Sequence, residues 1–132
     1  MKRCDNAWLD FATVDLNSAG KLLEDESLTP SAAFHCQQTI EKSFKALLEY
    51  KNIAVPRVHD LIRLHGLLLE AKIEIAVDDD MLAQINDVYI ETRYPSNFGL
   101  IPSGIPEVST VQHFYQQAET ILEKAWKQIQ PV

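Results

Sequence analysis

The sequence predicts an all-α fold, an up-and-down bundle of four or five helices in one domain over residues 1–132. Apolar residues recur three and four positions apart over long stretches, which is the period of an amphipathic helix. Good helix formers abound, and only 4 glycines and 6 prolines interrupt the 132 residues. One short stretch, 73–77, alternates as a strand would, but a lone strand has no partner, so we expect an extended connector.

The first two helices are separated by a break at Leu28-Thr29-Pro30. The first is predicted over about residues 5–24, where apolar side chains recur at helical spacing. Thr29 is expected to cap the second helix and Pro30 to occupy its first position. This second helix is predicted to end near Tyr50, ahead of Pro56, which disfavours helical geometry in the residue before it.

Three further helices follow. The third is predicted to begin near His59-Asp60 and to reach about Lys72. Asp78-Asp79-Asp80 suits the positive end of a fourth helix. Residues 93–107 contain three prolines and two glycines, which a helix does not tolerate. The last helix is predicted over about residues 108–130.

Composition and charge exclude several classes of protein. A formal net charge of −7 disfavours a surface for duplex DNA, because phosphates repel an anionic body. The apolar clusters are too short to cross a membrane, and the N-terminus does not resemble a signal peptide. Cys4 and Cys36 lack metal-ligand spacing, so we expect Cys36 in the core, a reducing cytoplasmic compartment, and neither metal nor cofactor.

The second helix carries polar residues at the edge of its apolar face. Gln37 and Glu41 lie one turn apart there, and burying them without partners costs about 1–3 kcal/mol each. We therefore expect them to orient Arg93 or another buried donor. His35, Gln38, Lys42 and Lys45 form a polar stripe on the same helix, either a solvated face or a groove for an anionic ligand such as a nucleotide.

Two further segments carry chemistry. Arg93-Tyr94-Pro95 combines a guanidinium that binds phosphate or carboxylate, a ring that stacks, and a proline that fixes the chain direction. The alternative is that Arg93 caps its own helix or bridges to a core Glu. At His59-Asp60, the simpler interpretation is a capping Asp beside an exposed His; the other is a basic strip that includes Arg63.

Taken together and in this order, these segments resemble the HEPN domain (higher eukaryotes and prokaryotes nucleotide-binding). The similarity extends over about residues 8–126. Its carriers are Ala33–Gln38 with Glu41-Lys42 and Lys45–Leu48, then His59-Asp60-Leu61, then Tyr89 with Arg93-Tyr94-Pro95, together with Trp8, Ala12, Asp15-Leu16 and Ala19 of the opening helix.

The resemblance implies a helical bundle that pairs with a second copy. Small prokaryotic members are often encoded beside a minimal nucleotidyltransferase, as a toxin–antitoxin pair, and many members are metal-independent endoribonucleases. In those nucleases an Arg followed four to six residues later by a His holds phosphate and transfers protons. Here the arginines are Arg3, Arg57, Arg63 and Arg93, and none has a His at that distance.

The resemblance therefore favours a non-catalytic protein that binds a nucleotide, RNA or a partner protein. The residues expected to contact the ligand are Arg93, Tyr94, Lys42, Lys45, His35 and Gln38. Those expected to support the site are Gln37, Glu41, His59, Asp60 and Pro95. Two alternatives stay open: an RNA-cleaving toxin, which needs a His near Arg93 in the fold, and a pure protein-interaction module without a small ligand.

Overall fold

The structure, a computed structural model, describes residues 6–93 and 105–129, except for the side chains of residues 89–93. It consists of helices and connectors, with no strand in the described part of the chain, which confirms the predicted all-α fold. The helices are α1 (Ala7–Leu22), α2 (Thr29–Tyr50), α3 (Leu61–Glu70), α4 (Asp79–Arg93) and α5 (Val108–Ile129), with one 3-10 turn at Glu26–Leu28.

Capping side chains set the start of three α-helices, of which α4 begins where Asp78 accepts a hydrogen bond of 3.1 Å from the Met81 amide. The Asn6 side chain accepts a hydrogen bond of 3.0 Å from the Leu9 amide and begins α1. Asp60 accepts from the Ile62 and Arg63 amides and begins α3, which confirms its predicted role as a cap.

The predicted cap of α2 is wrong. Thr29 already lies in the first turn, and the preceding residue, Leu28, makes no side-chain capping bond. The Thr29 hydroxyl is buried and donates instead to the Pro106 carbonyl at 2.7 Å, which ties the start of α2 to the segment before α5. Pro30 is the second residue of α2, one position later in the helix than predicted, and still lies in the first turn, where its missing N–H costs nothing.

The helix α2 is the centre of the bundle and packs against α1, α3, α4 and α5. Its buried face includes Cys36, Ile40, Phe44 and Leu47, each of which is fully inaccessible to solvent. Burial raises the pKa of the Cys36 thiol from its ordinary 9.0 to about 12, as expected for a small core residue. Because α2 is covered on several sides, its polar residues also become buried, and this creates the site.

Two helices are followed by a residue in the left-handed backbone conformation. Asn52 and Lys72 have φ values of 59° and 61° and lie two positions after the last residues of α2 and α3. In each case the next residue returns a backbone hydrogen bond of 2.9 Å to the helix, from Ile53 to Leu48 and from Ile73 to Leu68. The second turn leads into the extended connector predicted at 73–77.

Candidate functional site

The carboxylate of Glu41 is the centre of a buried polar cluster on α2. Its side chain is only 5% exposed, and its Oε2 atom lies 3.0 Å from the ammonium of Lys45, one turn further along. Its Oε1 atom accepts from the Gln37 amide at 3.1 Å and lies 3.0 Å from Nδ1 of His59. Glu41 therefore has the partners that its position at the edge of the apolar face required.

His59 connects this cluster to the segment between α2 and α3. The Gln37 amide donates to the His59 carbonyl at 2.9 Å, while the ring of the same residue contacts Glu41. Asp60 follows directly and starts α3, so the cap holds the connector in position. His59 is 62% exposed on its side chain, and one face of the cluster therefore reaches solvent.

A second charged cluster lies between α1 and α2. Asp15 is buried and receives the Lys42 ammonium at 2.6 Å on Oδ2 and Nδ1 of His35 at 2.9 Å on Oδ1. The sequence interpretation did not select Asp15 as a site residue. The signal was available, since Asp15 stands at the edge of an apolar helical face, as Glu41 does.

The polar stripe of α2 is therefore divided between these two clusters. His35 and Lys42 contact Asp15, whereas Lys45 contacts Glu41. Gln38 lies between them and donates to the Gln37 side chain at 2.7 Å. The Lys45 side chain is buried, with only 7% exposed, so this residue does not belong to a solvent-exposed face of α2.

A cleft of about 370 Å³ opens beside the Glu41 cluster. We call it the Lys45 cleft, after the residue that joins it to that cluster. The cleft is lined by the side chains of Lys45, Arg57 and His59, by the indole of Trp8, and by the apolar residues Val55 and Pro56. The Lys45 ammonium lies 5.7 Å from the centroid of the Trp8 ring, within the range of a cation–π contact.

Two residues of this cleft were missed by the sequence interpretation. The sequence indicates Trp8 only as a carrier of the family resemblance, and Arg57 only as an arginine without a His at the nuclease spacing. Neither position has a local signal for ligand binding, because the cleft forms where α1, α2 and the connector converge. An indole on a partly buried helical face was the one available hint.

The segment that the sequence interpretation weighted most falls largely outside the described residues. Arg93 is the last residue of α4, but its side chain is not described, and neither are Tyr94 and Pro95. Among the described side chains, Glu41 pairs with Lys45, the His59 ring and Gln37. Gln37 in turn donates to the His59 carbonyl and accepts from Gln38.

Two properties of the described residues bear on function. Among them, no group of three or more His, Cys, Asp or Glu side chains is arranged to hold a metal ion. No helix in the same part of the chain combines the length and apolar character that crossing a membrane requires.

A family model and two solved structures match this chain over most of its length. The model of the HEPN domain matches residues 6–129. The chain is similar to the crystal structure of TT1696 from Thermus thermophilus, with a TM-score of 0.72 and 25% identity over 91% of this chain and 94% of that one. It is also similar to ST0689, described as an archaeal HEPN homologue, with a TM-score of 0.70 and 25% identity over 98% and 100% of the two chains. No curated protein sequence matches.

Proposed function

The chain belongs to the HEPN domain family, and on that premise we propose that it binds a nucleotide-like anion in the Lys45 cleft. The observation that carries this proposal is the convergence of Lys45, Arg57 and His59 with an indole on one cleft, in a chain whose net charge is −7. Basic groups gathered in one concave place on an acidic protein indicate a local anion site.

The charges of the cleft favour an anion. Glu41 and Lys45 neutralise each other formally, and Arg57 adds one positive charge, to which a protonated His59 adds a second. Arg57 is exposed and can place its planar guanidinium against a phosphate. The Trp8 ring provides an apolar face on which a base can stack.

Glu41 has a positioning role in this proposal. Its Oε2 atom accepts from Lys45, and Nδ1 of His59 lies within hydrogen-bond distance of both oxygens, so that both side chains are fixed before a ligand arrives. Such preorganisation lowers the entropy cost of binding. Gln37, which bonds both Glu41 and the His59 carbonyl, keeps the connector in register with α2.

The remaining predicted ligand residues belong to the proposal on sequence grounds. Arg93 would bind phosphate and Tyr94 would stack, with Pro95 fixing their direction. Lys42, His35 and Gln38 would line an adjoining groove.

The family also supports a role with partner proteins. We propose that the chain is the non-catalytic component of a toxin–antitoxin type pair with a minimal nucleotidyltransferase, in the cytoplasm, and that it forms a homodimer. Co-expression with the product of the neighbouring reading frame, followed by affinity purification of either protein, tests the first part. Recovery of each protein without the other would contradict it.

Calorimetric titration with ATP tests the cleft. Arg57→Ala removes one charge-assisted hydrogen bond at an exposed position, so we expect about tenfold weaker binding. Arg63→Ala is the matched control, because Arg63 is also exposed and basic but lies outside the cleft lining. Equal affinities for the two variants, or no binding of ATP to the unmodified chain, would overturn the proposed site.

A further inference from the structure

The helix α1 carries apolar side chains on the side that faces away from the bundle. Phe11 is 62% exposed and Val14 is 61% exposed, although both are large apolar residues. Ser18 and Lys21 continue the same face at helical spacing. Lys42 lies 5.9 Å from the centroid of the Phe11 ring, so this face begins where the Asp15 cluster ends.

A groove of about 540 Å³ adjoins this apolar face. It begins at Val14, one turn after Phe11, and runs towards the end of α1. Its lining residues are Val14, Asn17, Ser18, Lys21, Leu22 and His35. A protruding aromatic side chain and a groove therefore lie side by side on one helix.

We infer that a second copy of this chain docks antiparallel against α1, so that Phe11 of each copy enters the groove of the other. Phe11 and Ser18, near the middle of the groove, are seven residues apart, or about 10 Å along the helix axis. A two-fold axis that is perpendicular to α1, and passes between the two copies at the level midway between these residues, exchanges the two features. Each copy then supplies both, as a symmetric interface requires. Val14 then lies close to the axis and covers its equivalent.

The charges of the same face point to the same axis. Asp10 is exposed near the start of α1. Lys21, near its end, is 86% exposed and lies 3.6 Å from Glu24 of its own copy, a solvent-exposed pair that leaves the ammonium accessible. An axis midway between Asp10 and Lys21 differs by about one residue from the axis defined by Phe11 and the groove. Each Asp10 would therefore face Lys21 of the other copy, and the antiparallel helix dipoles would also be complementary.

This inference rests on the homodimer proposed above and identifies the α1 face as the surface through which the two copies associate. Sedimentation velocity over a range of protein concentrations tests it. Phe11→Asp is expected to raise the dissociation constant of the dimer by about thirtyfold or more, because it removes the aromatic ring that fills the groove. Leu69→Asp is the matched control: Leu69 is 56% exposed, lies on α3, and should leave the dimer unchanged.

A charge exchange provides a second test that does not depend on the apolar contact. Asp10→Lys and Lys21→Asp should each weaken the dimer, since each places like charges together, and the double variant should restore it. Circular dichroism at each step establishes that the variants are folded.

The possible outcomes separate the two proposals. If the unmodified chain sediments as a monomer at every concentration, the homodimer itself is wrong, and this surface with it. If the chain is a dimer that Phe11→Asp and the two charge variants leave intact, the dimer stands and the α1 surface is wrong. ATP titration of the unmodified chain and of Arg57→Ala reports the Lys45 cleft independently of either result.

Discussion

Replacing Lys45 by Met should destabilise the fold through the carboxylate that it leaves behind. Both members of the Lys45–Glu41 pair are nearly inaccessible, with side chains 7% and 5% exposed and charged atoms 3.0 Å apart. Removal of one partner from a buried pair costs about 3–5 kcal/mol, because the other charge remains without compensation. Here Glu41 keeps Gln37 and His59, so we expect a smaller loss of about 2–3 kcal/mol.

The free energy of unfolding can be measured by urea denaturation followed by circular dichroism. For a chain of this size, the expected loss corresponds to a fall in Tm of about 8–12 °C. Lys127→Met is the matched control, because Lys127 is an exposed lysine of α5 and lies outside the cluster. Replacing an exposed lysine should change stability by less than about 1 kcal/mol.

A double-mutant cycle isolates the interaction itself. Glu41→Gln keeps a group that can hydrogen-bond but removes the charge, so the double variant with Lys45→Met contains neither charge. We expect it to be about 1–3 kcal/mol more stable than the sum of the single losses predicts. If Lys45→Met costs no more than Lys127→Met, or if the cycle gives no coupling, the pair is not a buried structural unit and our reasoning on the site fails.

Four other predictions concern separate parts of the chain. Burial raises the pKa of Cys36 to about 12, so the folded state keeps the thiol neutral while the unfolded thiol ionises near 9.0. The free energy of unfolding should therefore decline as the pH rises above 9. Cys36→Ala should lessen that decline in denaturation measured at pH 8 and pH 10. Asp60→Ala should cost about 1 kcal/mol in the same denaturation assay through loss of the α3 cap, whereas an unchanged midpoint would show that the cap is dispensable. Arg93→Ala should weaken ATP binding far more than Arg3→Ala, and equal isotherms would contradict a phosphate role for Arg93. RNA incubated with the pure protein, with or without chelator, should stay intact on a gel, because no His follows an Arg at the nuclease spacing. Cleavage that disappears in His59→Ala would contradict the non-catalytic interpretation.

The family signature and the helices could be predicted from the sequence because both depend on local information. Apolar spacing, prolines and capping residues act over a few positions, and they placed the five helices close to their observed bounds. The local prediction that failed, the Thr29 cap, was overridden by a contact with Pro106, which is 77 positions away. The sequence pattern gives no information on the distance in space between residues that lie so far apart in the chain.

The amino-acid pattern alone establishes that Gln37 and Glu41 need partners, since a polar group at the edge of an apolar helix face is costly to bury without them. The identity of those partners depends on how the helices pack. Lys45 pairs with Glu41, while Lys42, three positions earlier, pairs with Asp15 of another helix. Helical periodicity fixes the direction in which a side chain leaves its own helix, but the charge that it meets depends on the neighbouring helices and connectors that pack against it.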